Sequence, residues 1–171
     1  MLSLLRVLWD IALWRRNPGD LPASRMFAVL SAIAYLLVSW LQALQLYGQQ
    51  FAGARAIADL ALTLAAFWAL VALAGRAPRF LQSISAVFGV GALLSVPMLA
   101  VVALREPAAA HYLIALAVWV VSLTLIVWYL FALGHIVRST LECGLFPGMA
   151  AAVVITFGSS ALLARVFPAG S

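Results

Sequence analysis

Lysine is absent from this 171-residue chain, and Asp10, Asp20, Asp59, Glu106 and Glu142 are its only acids. Charged residues make up 9% of it and apolar residues 67%. A soluble domain is about half apolar and a quarter charged. One water-soluble core of this size cannot hold that excess, so lipid must solvate most of the surface. The length suits one membrane domain and leaves no room for a separate soluble one. A single cysteine, Cys143, excludes an internal disulfide and a multi-cysteine metal site. With two histidines and no lysine, the chain offers neither a His-x-x-x-His metal motif nor a phosphate loop with its lysine. Gly158-Ser159-Ser160 lacks the second glycine of a nucleophile elbow and reads as small residues for helix packing. The expectation is therefore a protein that is not an enzyme, with no catalytic residues, no cofactor and no metal.

What the chain has instead is arginine, ten of them against five acids, for a net charge of +5. They are scattered beside apolar runs and form no basic patch, which argues against a nucleic-acid partner. Their expected role is to anchor helix ends among lipid headgroups.

The fold class expected is all-α: a polytopic helical bundle of about five transmembrane helices, preceded by an N-terminal amphipathic interfacial helix. In the first stretch, Ser3, Arg6 and Asp10 make a narrow polar stripe at helical spacing, and Arg6 can pair with Asp10. About 14 residues of helix reach roughly 21 Å, too short for a hydrocarbon core of about 30 Å. Trp9 and Trp14 suit the interface. Prolines and a glycine in Asn17-Pro-Gly-Asp-Leu-Pro turn the chain, and Ser24 can cap the next helix. Residues 1–25 thus form a cytoplasmic interfacial helix and lead-in turn. Residues 26–171 form one transmembrane domain with spans at about 26–47, 57–74, 80–104, 112–134 and 147–163.

Asp59 falls near the start of the second span, at headgroup depth, which counts against ion-coupled transport. The third span carries Ser85 with Gly89, and Gly91 with Ser95, each pair four apart and suited to close helix packing. Pro97 should kink it. Arg105-Glu106-Pro107 ends it.

Orientation follows the arginines. With the N-terminus inside, Arg6, Arg15, Arg16, Arg25, Arg76, Arg79 and Arg138 face the cytoplasm, against Arg55, Arg105 and Arg165 outside. This predicts a bacterial inner-membrane protein with a cytoplasmic N-terminus and a periplasmic C-terminus. The polar residues then gather on one side. His135, Arg138 and Glu142 share a helical face, where Arg138 and Glu142 can pair and His135 could respond to pH. Asp20, Pro22 and Arg25 in the lead-in turn, and Arg76 and Arg79 in the second turn, lie on the same side. Asp20 could pair with Arg25, Arg76 or Arg138. These eight residues are the candidate interaction surface.

The layout resembles the Yip family (Ypt/Rab-interacting membrane proteins), which has bacterial relatives. The likeness is carried by Arg79-Phe-Leu-Gln82 leading into Ala86-Val-Phe-Gly89, then Leu94 and Pro97, with Asp20-Leu-Pro22 before the first span. The chain is also similar to small proteobacterial membrane proteins with a Pro-x-Asp-Leu-Pro turn and a His-Ile-x-Arg segment, here Pro18 to Pro22 and His135 to Arg138. The resemblance implies a non-enzymatic scaffold or adaptor. Eukaryotic members are linked to vesicle traffic and small GTPases. This chain departs from them in lacking their long polar N-terminal region, and its Arg- and Ala-rich composition points to a high-GC bacterium. The function expected is a non-catalytic membrane scaffold, adaptor or assembly subunit, docking a partner at its cytoplasmic face. Its partners would be membrane lipids and a membrane protein or a second copy. The alternative is a small transporter or channel subunit, motivated by Pro97 with its neighbouring small residues.

Overall fold

A computed structural model of the chain describes residues 2–105 and 111–167. Glu106 and Pro107, expected to close the third span, and the C-terminal residues 168–171 lie outside the described residues. Six α-helices occur among the described residues: α1 (Leu2–Ala12), α2 (Arg25–Tyr47), α3 (Gln49–Leu73), α4 (Phe80–Ala103), α5 (Tyr112–Leu141) and α6 (Leu145–Val166). Short 3₁₀ turns occupy Pro18–Asp20 and Ala77–Arg79. The five long helices, α2 to α6, are each long and apolar enough to cross a bilayer.

Ser24 caps α2, accepting a hydrogen bond from the Phe27 amide at 3.4 Å. The largest departure from expectation comes at the far end of α2. The segment 49–55, expected to be a polar loop, is helix, and Gly48 alone separates α2 from α3. Its φ of 73° and ψ of −178° lie in a region that is essentially glycine-only. One permissive residue completes the reversal, and Gln49-Gln-Phe-Ala-Gly-Ala-Arg55, rich in good helix formers, propagates from it. α3 therefore begins at Gln49 instead of Ile57. Asp59 moves from near a helix end to about 15 Å inside.

The long helices close into a ring. α2 packs on α3 and on α4, α5 on α4, and α6 fills the gap between α3 and α5. Short connections make chain neighbours antiparallel. The ends of α2 and α6 and the start of α3 thus lie at one end of the bundle, opposite the N-terminal segment. In the N-terminal half the ring is filled with apolar side chains, among them Phe67, Val71, Val87, Phe88, Leu133 and Ile136. α4 is buried on all sides from Ser83 to Ala92, because α1 covers its outer face and packs on α5 as well.

Glycines set the close approaches. A Cβ on Gly89 would meet the Leu8 side chain at 2.7 Å, so Gly89 is the seat of α1. A Cβ on Gly91 would come within 3.0 Å of the Tyr35 ring, so Gly91 seats α2. At the α5–α6 crossing, a Cβ on Gly148 would lie 2.8 Å from the Gly134 carbonyl oxygen. Backbone cannot yield there as a side chain can. Gly148→Ala should therefore lower stability by about 1–3 kcal/mol, whereas Gly158→Ala, with nothing within 4 Å of the new methyl, should leave it unchanged. Thermal unfolding of the two variants in the same detergent checks the contrast.

Candidate functional site

The N-terminal end of the bundle brings together much of the expected surface. Asp20, Arg79, His135, Arg138 and Glu142 line one groove of about 690 Å³, together with Asn17, Gln82 and Ser139. Arg76 reaches it through Glu142. Pro22 and Arg25 are exposed and lie outside it.

The pairings differ from those the spacing suggested. Glu142 pairs with Arg76 and, at 2.6 Å, with Arg79, instead of with Arg138. The cause is backbone: α5 ends at Leu141 and Glu142 adopts the left-handed conformation, φ 55°, which turns its side chain off the Arg138 face. Asp20 pairs with none of Arg25, Arg76 or Arg138; its carboxylate accepts the Asn17 amide at 3.1 Å and caps its own turn. Asp10 meets Arg16 at 3.5 Å in place of Arg6.

His135 is buried, with 7% of its surface exposed, so it belongs to the packing and not to an open face. Its Nε2 lies 2.9 Å from the Arg16 carbonyl, which can only accept, so Nε2 carries the proton. Nδ1 is buried without a partner. Trp14 stacks on the ring, with centroids 5.5 Å apart.

Trp14 ends α1 in a left-handed conformation, φ 62°. The amide of Arg15 reaches the Asp10 carbonyl and that of Trp14 reaches Ile11. This is the glycine-style helix stop, which Gly75 makes at the end of α3 with the expected residue. In Trp14 it costs about 1–2 kcal/mol, and the stack on His135 and Phe131 offsets it. Gln82 clasps the lead-in turn by donating to the carbonyls of Gly19 and Leu21. Trp128 Nε1 donates to the Ala12 carbonyl at 2.9 Å. Gln82, Trp128 and His135 thus hold residues 12–21 to the bundle.

The second place was not anticipated. In the half of the ring away from the N-terminus, all five long helices line a cavity of about 280 Å³. Its floor is Tyr35 of α2, Asp59 of α3 and Tyr129 of α5. Tyr35 Oη donates to Asp59 Oδ2 at 2.6 Å, the length of a charge-assisted bond. Tyr35 sits over Gly91 and leans on Phe88, centroids 5.2 Å apart, which closes the floor toward the packed half.

Asp59 and Tyr35 each lie about 15 Å from the start of their helices, near mid-span. Gln42 donates across to the Ser95 carbonyl at 3.1 Å, two residues before Pro97, through which α4 continues. Farther from the N-terminal end, Arg55 stacks over the Tyr47 ring, 4.1 Å from its centroid. Thr156, Ser159 and Ser160 of α6 line the opposite wall. Among the described residues, two of the three buried side-chain polar atoms without a partner, Arg55 Nη1 and Thr156 Oγ1, belong to cavity-lining residues. Of the expected packing residues, Ser85 bonds its own helix at the Leu81 carbonyl, Gly89 and Gly91 make helix seats, and Ser95 borders the cavity.

Sequence reasoning missed the cavity because it began the second span too late to place Asp59 inside. The available signal was Gly48: a lone glycine followed by helix formers. The chain matches no protein family, no curated protein and no solved structure.

Two measurements probe the N-terminal clasp. Arg79 hydrogen-bonds the Glu142 carboxyl, and with Arg76 holds it below the usual carboxylate range. The ion pairs therefore favour the fold above the ordinary glutamate value and cease to do so as pH falls through the lowered folded value. The difference in melting temperature between the native chain and Glu142→Gln should be present at neutral pH and close below about pH 4. At Trp14, replacement by alanine keeps the left-handed strain and loses the stack, while glycine loses only the stack. Trp14→Gly should be milder than Trp14→Ala by about 1 kcal/mol in chemical unfolding.

Proposed function

We propose that this protein handles a small polar solute in the membrane, as a transporter or channel subunit, with the cavity between its five spans as the solute site. The carrying observation is Asp59, near mid-span, hydrogen-bonded to Tyr35 and facing a cavity lined by every long helix. An ionisable residue at such depth costs about 2.5–3.5 kcal/mol and marks a pathway or binding site. Serine, threonine, glutamine and arginine side chains around it supply the polar lining that a solute site needs.

In this reading the N-terminus is cytoplasmic, following the arginine count, in a bacterial inner membrane. The cavity then lies in the periplasmic half of the bundle, and the packed half of the ring separates it from the cytoplasm. α1 lies along the cytoplasmic leaflet with exposed Leu5 and Trp9 toward lipid, tied to α4 by Leu8.

Docking of a membrane-protein partner or a second copy at the N-terminal end is the second reading, as the Yip-like layout implies. It is favoured by the groove of about 690 Å³ and by exposed Arg25 and Arg138, which carry no ion pair among the described residues.

Cys143 is the only thiol, so Cys143→Ser provides a clean background. In spheroplasts, Ser159→Cys on that background should react with a small, membrane-impermeant thiosulfonate added from the periplasmic side, whereas Ala86→Cys, in the packed half, should not. Failure of Ser159→Cys to react from that side would remove the solute reading.

A further inference from the structure

We infer that the cavity binds a small zwitterion carrying one ammonium and one carboxylate group; this rests on the reading of the cavity as a solute site. Two opposite charges, Arg55 and Asp59, share the cavity without touching. Arg55 and Asp59 are four residues apart, on one face of α3, with Cα atoms about 6 Å apart along the axis. On a free helix surface such a pair closes readily. Here no ion pair within 4.0 Å joins them.

Each charge is instead held in a different direction. Arg55 is drawn away from the floor by the Tyr47 ring, and Asp59 toward the floor by the Tyr35 hydroxyl. The unsatisfied atoms complement this separation. Asp59 Oδ2 is taken by Tyr35, and Oδ1 receives no hydrogen bond from the described residues. Arg55 Nη1 is buried and unpartnered, as is Thr156 Oγ1 on the facing wall.

A ligand ammonium at the floor would donate to Asp59 Oδ1, beside the rings of Tyr35 and Tyr129, whose faces favour a cation. A ligand carboxylate farther from the floor would accept from Arg55 Nη1 and the Thr156 hydroxyl. A simple cation would leave the buried guanidinium nitrogen unpaired, and a simple anion would leave the carboxylate unpaired. Either leaves a desolvated charged group uncompensated. A zwitterion satisfies both and adds no net charge to the bilayer interior. Size sets the class further: about 280 Å³ is at the low end for small-molecule pockets, which favours an aliphatic amino acid of few carbons.

The test is a thermal-shift series on the purified full chain in detergent, with glycine, β-alanine or γ-aminobutyrate as zwitterions, and methylammonium or acetate as single-charge probes at equal concentration. At least one zwitterion should raise the melting temperature in a saturable way, as linkage requires for a ligand of the folded state. Neither methylammonium nor acetate should match it. Asp59→Asn and Arg55→Gln should each weaken that zwitterion's apparent affinity at least tenfold, and β-alanine or its best-binding relative should slow thiosulfonate labelling of Ser159→Cys.

Equal stabilisation by methylammonium would overturn the assignment in favour of a cation site, and equal stabilisation by acetate in favour of an anion site. No shift with any zwitterion would also overturn it. Labelling without zwitterion binding would sink the ligand class alone; absence of labelling would sink the solute reading beneath it. Labelling of Ser159→Cys carried in the Asp59→Asn and Arg55→Gln chains shows whether those variants keep the fold.

Discussion

The hydrogen bond between the Tyr35 hydroxyl and the Asp59 carboxylate is the interaction around which the bundle is arranged. A carboxylate near mid-span costs about 2.5–3.5 kcal/mol. A hydrogen bond to a charged group returns about 1.5–3 kcal/mol, so one good donor roughly balances the account and leaves the second oxygen free. Making that bond constrains three other helices. Gly91 of α4 must lack a side chain for the Tyr35 ring to lie where it does. Phe88 must back the ring. α6 must enter between α3 and α5 to close the wall on the other side. The register of α3 against α2, which brings Asp59 level with Tyr35, is set by the single residue Gly48.

The two ends of the molecule use polarity differently. At the N-terminal end the polar groups are spent on each other and on backbone. His135 on the Arg16 carbonyl, Gln82 on Gly19 and Leu21, and Trp128 on Ala12 lock residues 12–21 onto α4 and α5, while Glu142 ties the end of α5 to Arg76 and Arg79. The two non-glycine residues with left-handed backbone among the described residues, Trp14 and Glu142, both sit at this end. Each carries local strain that its partners offset. In the cavity the opposite holds: Arg55, Asp59 and Thr156 keep hydrogen-bonding capacity unused. Capacity left open in a low-dielectric setting is costly to maintain, and that difference separates a structural use of polar residues from a binding one.

Legibility followed the range of the physics involved. Five long apolar helices were readable because hydropathy is a local sum. Ser24 as a cap was readable because capping is decided within a few residues. The grouping of Asp20, Arg79, His135, Arg138 and Glu142 at one end was readable in outline from helix alternation alone. Their partners were not. Spacing offered Arg138 for Glu142, but one left-handed residue at the end of α5 delivered Glu142 to Arg76 and Arg79. Spacing offered an open face for His135, but α1 returned over it. Asp59 was assigned to a helix end because residues 49–55 look polar, and a composition window cannot tell a polar loop from a polar helical turn.

What the sequence determined by itself was the kind and number of elements: an apolar composition with arginine-marked boundaries yields five helices long and apolar enough to cross a membrane. Tertiary structure decided which helices are neighbours, and with that the character of the interior. The ring order α2, α3, α6, α5, α4 depends on contacts among Gly89, Gly91, Gly134, Gly148 and the side chains they admit, and no local pattern encodes such pairings. The ring also brought Tyr35, Gln42, Asp59 and Thr63 of α2 and α3 together with Ser95 of α4 and Thr156 of α6 on one cavity. Pairing energies across helices act at a distance in sequence, so the meeting of Tyr35, Asp59 and Tyr129 existed only once the chain had folded.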